Sequence, residues 1–104
     1  MSNLFSEEQV ERVSRLFEAL GNKTRIKILL MVAESKRPLH IKAVAKSLKM
    51  DYAATYRHVK ALEEAGLVEI YEVGRSRVLS LKNQEWLMDL LLKTIESIRS
   101  NNFS

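Results

Sequence analysis

A chain of 104 residues allows one domain with one core, small enough that pairing with a second copy would add useful buried surface. Hydrophobic residues at 46% and charged residues at 29% give the balance of a globular chain and argue against disorder. The formal net charge is +4, and the absence of cysteine excludes disulfides, thiolate metal sites and thiol redox switches.

Charge is unevenly placed. From Lys36 to Lys60 there are seven cations (Lys36, Arg37, Lys42, Lys46, Lys49, Arg57 and Lys60) against one acid, Asp51. Such a segment is the footprint of a phosphate-backbone binder, although a lysine-rich solvated surface has the same composition. No apolar run approaches the roughly 20 residues that span a membrane, and no signal peptide precedes the first helix, so no membrane partner and a cytoplasmic location are expected.

Met1 to Phe5 is expected to be frayed or held only by Leu4 and Phe5. Ser6-Glu7-Glu8-Gln9 has the form of a capping box and starts a helix that runs to about Leu20, with Val10, Val13, Leu16, Phe17 and Leu20 at helical spacing. Gly21 ends it, and Asn22 caps a second helix through about Ser35, which Lys36-Arg37-Pro38 breaks. Leu39 adds a very short strand. Ile41, Val44, Ala45 and Leu48 mark a third helix of two to three turns, and Lys49-Met50 is the turn after it.

The fourth helix opens at Asp51, an N-cap carboxylate, and closes at Gly66, which suits the left-handed position past a helix end. Thr55, Val59 and Leu62 share one side, with Ala54 and His58 at its border. Tyr52, Ala53, Tyr56, Arg57 and Lys60 share the other. The second face carries phenols and cations and no acid, whereas a solvated helix face usually mixes charge signs; it suits a DNA groove. Lys46 and Lys49 flank it.

After Gly66 the period changes to two. Leu67, Val68, Ile70, Tyr71 and Val73, then Val78, Leu79 and Leu81, form a hairpin about the turn Gly74-Arg75-Ser76. Arg75 and Arg77 are expected on one side of its tip, where a wing could lay them on the DNA backbone or in a narrow minor groove. Charged tips also serve solubility. Asn83 caps a last helix from Gln84 to about Ser100, and Asn101 to Ser104 is expected to be disordered. In that helix Met88, Leu91, Ile95 and Ile98 repeat at coiled-coil spacing, with Leu87 and Leu90 left to pack on the domain. Val10, Val13 and Phe17 could join the same interface. The expected fold is therefore mostly helical with a small hairpin, a winged helix-turn-helix over residues 1–104. Residues of about 6–20 and 84–100 form the dimer interface, and about 39–81 read DNA.

Three segments in order carry a family resemblance. Leu16 to Leu29, LFEALGNKTRIKIL, resembles the opening of the ArsR-like winged-helix transcription regulators, which typically read "ALG…TRL.IL". Ala54 to Val68, ATYRHVKALEEAGLV, resembles their recognition helix and its exit, and Val73-Gly74-Arg75 resembles their wing. The resemblance covers roughly Phe17 to Leu81 and implies a homodimeric transcription regulator whose dimer is built from its first and last helices. Many members sense metals through a Cys-x-Cys pair at the start of the third helix, and those two places are His40 and Lys42 here. Others carry acid and histidine ligands on the last helix, where this chain has no histidine and only Glu85, Asp89 and Glu96. Metal sensing is therefore not carried over, and neither a metal nor a cofactor is expected.

Catalytic patterns are missing. The chain has two histidines, and neither a Gly-rich phosphate loop, a nucleophile elbow nor paired carboxylates. His40 is expected to cap the third helix or lie on the surface. His58 is expected to pack between helices or bond backbone, with a phosphate contact as the alternative. The resulting expectation is a sequence-specific, double-stranded-DNA-binding homodimer associated with the nucleoid. A winged-helix protein-interaction module and a non-specific chromatin binder are the rival readings. An acidic or apolar fourth-helix face would mark the interaction module.

Overall fold

The computed structural model describes residues 4–103; the part of the frayed-start expectation on residues 1–3, and of the tail expectation on Ser104, falls outside them. The chain forms α1 (Glu7–Leu20), α2 (Lys23–Ser35), β1 (Leu39–His40), α3 (Ile41–Leu48), α4 (Tyr52–Glu64), β2 (Val68–Val73), β3 (Ser76–Leu81) and α5 (Gln84–Arg99). It is mostly helical, with one antiparallel sheet in the order β1-β3-β2.

Local chemistry sets the boundaries. Both bonds of the capping box are present at α1: Ser6 Oγ accepts from the Gln9 amide at 3.1 Å, and Gln9 Oε1 accepts from the Ser6 amide at 3.0 Å. Asn22 Oδ1 caps α2 through the Arg25 amide. Asp51 caps α4, its Oδ1 accepting from the Ala54 amide at 2.7 Å.

The turn between α3 and α4 is short because α3 ends in paired reversed bonds. Met50 N–H donates to Ala45 O and Lys49 N–H to Lys46 O, with Lys49 held at φ 57°. A left-handed lysine costs roughly 1–2 kcal/mol relative to ordinary helical backbone. The same motif closes α4: Leu67 N–H donates to Leu62 O, Gly66 N–H to Glu63 O, and Gly66 takes φ 81° at no steric cost.

Two sequence expectations need correction, on Asn83 and on the hairpin turn, and the structure decides between the two given for His40. Asn83 stands at the N-cap position of α5, but its backbone is left-handed and its side chain makes no cap bond. Its Nδ2 instead donates to Gly66 O at 3.0 Å, tying the start of α5 to the end of α4. His40 holds the N-cap position of α3 without a side-chain bond and is exposed, so the surface alternative holds. The hairpin turn is two residues, not three. Val73 pairs with Ser76, leaving Gly74 at φ 62° and Arg75 in the loop.

The core lies where α2, α3, α4 and the sheet converge. Ile28, Leu29, Ile41, Val59, Leu62 and Leu79 are fully buried there, each contributing about 1.5–3 kcal/mol of hydrophobic stabilisation. Thr55 is the buried polar residue of this region, and its Oγ1 donates to Asp51 O at 2.9 Å. The two ends of the chain are less committed. On α5 Leu87 is fully buried and Met88, Leu90 and Leu91 pack on the core, but Leu92, Ile95 and Ile98 are exposed. On α1 only Ala19 and Leu20 are buried. The radius of gyration is 15.3 Å, against about 13 Å for a compact chain of this length.

Candidate nucleic-acid interface

The outward face of α4 follows from its cap and its core. Asp51 fixes where the helix begins, and burial of Thr55, Val59 and Leu62 fixes its rotation. Tyr52, Ala53 and Arg57 are then exposed, while Tyr56 and Lys60 are half-buried. No acid lies among them. Lys46 on α3 and Lys49 in the turn are exposed beside this face.

The side chains on this face differ in how free they are. Tyr52 and Tyr56 stack, with ring centroids 6.1 Å apart and planes 9° from parallel. The Arg77 guanidinium lies over the Tyr56 ring, 4.9 Å from its centroid. Lys60 Nζ is held by Glu63 Oε1 at 2.7 Å, which raises the lysine pKa through the hydrogen bond and the adjacent charge. Arg57 makes no ion pair or hydrogen bond among the described residues. At the wing, Arg75 sits in the turn and Arg77 in β3, so the alternation that was to place both on one side does not apply to the pair. Arg77 shares the face of Leu79, which looks toward the helices.

Behind α4, Arg25 ties three helices together. Its Nε donates to His58 Nδ1 at 3.2 Å, and its Nη1 donates to Ala19 O at the end of α1. His58 is thus a helix-packing histidine whose partner is a side chain rather than backbone. With Nδ1 accepting, the neutral ring carries its proton on Nε2. Burial lowers its pKa from the ordinary 6.5, and the Arg25 and Arg57 charges lower it further. The native state therefore favours neutral His58, while the unfolded chain takes up a proton as pH falls through 6.5. This contribution to stability should be complete above that value and decline below it. Urea midpoints at pH 7.5 and 5.5 should show the decline, and His58→Gln should flatten it; equal slopes for both proteins would remove the coupling.

Among the described residues no three His, Asp or Glu side chains are grouped as metal ligands would be. Among the described residues no helix is long and apolar enough to cross a membrane.

Residues 22–69 match the model of a family described as bacterial regulatory protein, arsR family. The chain is also 40% identical over 81 residues to an uncharacterized HTH-type transcriptional regulator of Methanocaldococcus jannaschii, an alignment covering 74% of this chain and 83% of that one. The chain belongs to the ArsR family. It is a transcription regulator of the DNA-binding, winged helix-turn-helix kind rather than a member of an enzyme family. Two solved structures share the fold. One is the homodimeric winged helix-turn-helix DNA-binding domain of a possible ArsR-family regulator from Mycobacterium bovis, 22% identical, with a TM-score of 0.77 over 93% of this chain and 92% of that one. The other is HlyU from Vibrio cholerae, 21% identical, with a TM-score of 0.71 over 86% and 97%.

The matched ArsR segment runs from the cap of α2 into β2. It holds Arg25, His58 and the whole outward face of α4, and leaves α1, β3 and α5 outside. Sequence reasoning missed the Arg25–His58 bond and the Arg77–Tyr56 contact, because residues 33 and 21 positions apart carry no periodic signal. The Lys60–Glu63 pair was missed as well, although charges three apart on a helix are neighbours and the spacing could have shown it.

Proposed function

We propose that this ArsR-family regulator binds double-stranded DNA sequence-specifically as a homodimer, with α4 in the major groove. The observation that carries the reading is the outward face of α4, where Tyr52, Ala53, Tyr56, Arg57 and Lys60 stand together without an acid. A partner-binding winged helix would present acids or a bare apolar surface there. Lys46 and Lys49 lie where phosphates flank such a helix, and Arg75 and Arg77 belong to the wing. Residues 39–81 form the reading unit, and α1 with α5 join the two copies. Val10, Val13 and Phe17 on α1, and Ile95 and Ile98 on α5, are exposed, with Met88 and Leu91 half-buried on the same side of α5. The M. bovis domain of the same fold is homodimeric. With no cysteine in the chain, no thiolate metal site gates the binding. The work of such a protein is in the cytoplasm, at the nucleoid.

Selection from a pool of random duplexes tests this. The protein should enrich a pseudo-palindrome whose half-sites lie about one DNA turn, roughly 34–36 Å, apart. Binding that enriches no sequence would leave a non-specific DNA binder, and no DNA binding at all would leave the interaction module.

A further inference from the structure

The cation of the wing that stands on β3 is exposed, yet its guanidinium is engaged within the protein. Arg77 lies on the helix-facing side of the sheet, directly across from Glu72 and in line with half-buried Ile70 and buried Leu79. From there its guanidinium covers the Tyr56 ring at 4.9 Å. The Tyr52 and Tyr56 side chains beside it raise its pKa. Tyr52 and Tyr56 in turn stack on one another along α4. Tyr56 packs against the core and carries the Arg77 guanidinium over its ring, so the ring is held by neighbours from outside its own helix. Two phenol hydroxyls on a recognition helix can discriminate base edges only if their rings are held still, since a mobile phenol accepts any donor within reach.

We propose that Arg77 is a positioning residue: it locks the Tyr52–Tyr56 stack against the wing, and it sets sequence discrimination rather than phosphate affinity. Arg75, in the turn, makes no such contact and remains the wing's phosphate contact. This rests on the DNA reading above and deepens it. A cation over a phenol ring and a phosphate contact are alternative uses of one guanidinium, and they leave different signatures. Loss of a phosphate contact weakens every sequence alike and reduces the salt slope by about one unit. Loss of a positioning contact lowers the ratio of specific to non-specific affinity and leaves the slope.

The test uses the full chain, the duplex that wild type enriches from a random pool, and a scrambled duplex of the same composition. Arg77→Ala should lower the affinity ratio about 5- to 10-fold, with the salt slope on the scrambled duplex kept within about 0.3 of wild type. Arg75→Ala should instead lower both affinities together and reduce the slope by about one. Arg77→Lys, which keeps a cation over the ring, should recover part of the ratio. In a Tyr56→Leu background Arg77→Ala should cost little more, because the ring it positions is gone. In the DNA-free protein, the ring-current shift of the Arg77 side-chain protons should vanish in Tyr56→Leu. An unchanged ratio with a reduced slope in Arg77→Ala, or additive losses in the double variant, would overturn the proposal while leaving the DNA reading intact. A wild type that enriches no sequence would overturn both.

Discussion

Ile95→Glu is expected to convert the protein from a dimer to a monomer and to remove most of its operator affinity, although every DNA-facing side chain is intact. Ile95 stays 37% exposed in the single chain and Ile98 56%, so a carboxylate at position 95 can reach water in a folded monomer. In a two-fold interface the same carboxylate would face its own copy across apolar surface. Burying a side chain of this size contributes roughly 1.5–3 kcal/mol, and two-fold symmetry counts the contact twice. One recognition helix reaches only a half-site, so the monomer should bind the operator about 100-fold more weakly or worse. Sedimentation and a binding titration on the same samples measure both effects, with far-ultraviolet circular dichroism as the folding control. A variant that still sediments as a dimer and binds normally would show that this side of α5 has another purpose.

The exposure of α1 and α5 also explains what could be read from the chain in advance. Helix spans were legible wherever a cap coincided with an apolar period, as at Ser6, Asn22 and Asp51, because capping and periodicity are local chemistry. The left-handed Gly66 was legible for the same reason. Asn83 misled because an asparagine before an apolar run looks like a cap, while here it accepts a left-handed backbone and spends its amide on Gly66 O, a partner 17 positions away. The hairpin turn was misjudged by one residue, since Gly74-Arg75-Ser76 does not reveal which residue resumes pairing.

The candidate site divides in the same way. Which residues of α4 face outward follows from its own period and from the burial of Thr55, Val59 and Leu62. Which of those residues are free to meet a ligand depends on neighbours brought in by the fold. Glu63 engages Lys60 and Arg77 covers Tyr56, so residues that look equivalent in sequence are not equivalent in availability.

That difference singles out Arg57. It is exposed, on the acid-free face, and without an ion pair among the described residues. On the proposed reading its uncommitted donors meet a base edge, where a bidentate pair with guanine contributes roughly 1–3 kcal/mol of discrimination. Arg57→Ala should therefore weaken binding to the enriched duplex by about 5- to 150-fold. Thermal stability should stay within about 0.5 kcal/mol of wild type, because no protein contact is removed. Lys60→Ala should cost less, since Lys60 must first release Glu63 before it can reach DNA. A gel-shift titration of both variants against that duplex decides the order. Equal affinity of Arg57→Ala and wild type would move the major-groove reading off Arg57, and a larger loss for Lys60→Ala would show that DNA displaces the Lys60–Glu63 pair at little cost.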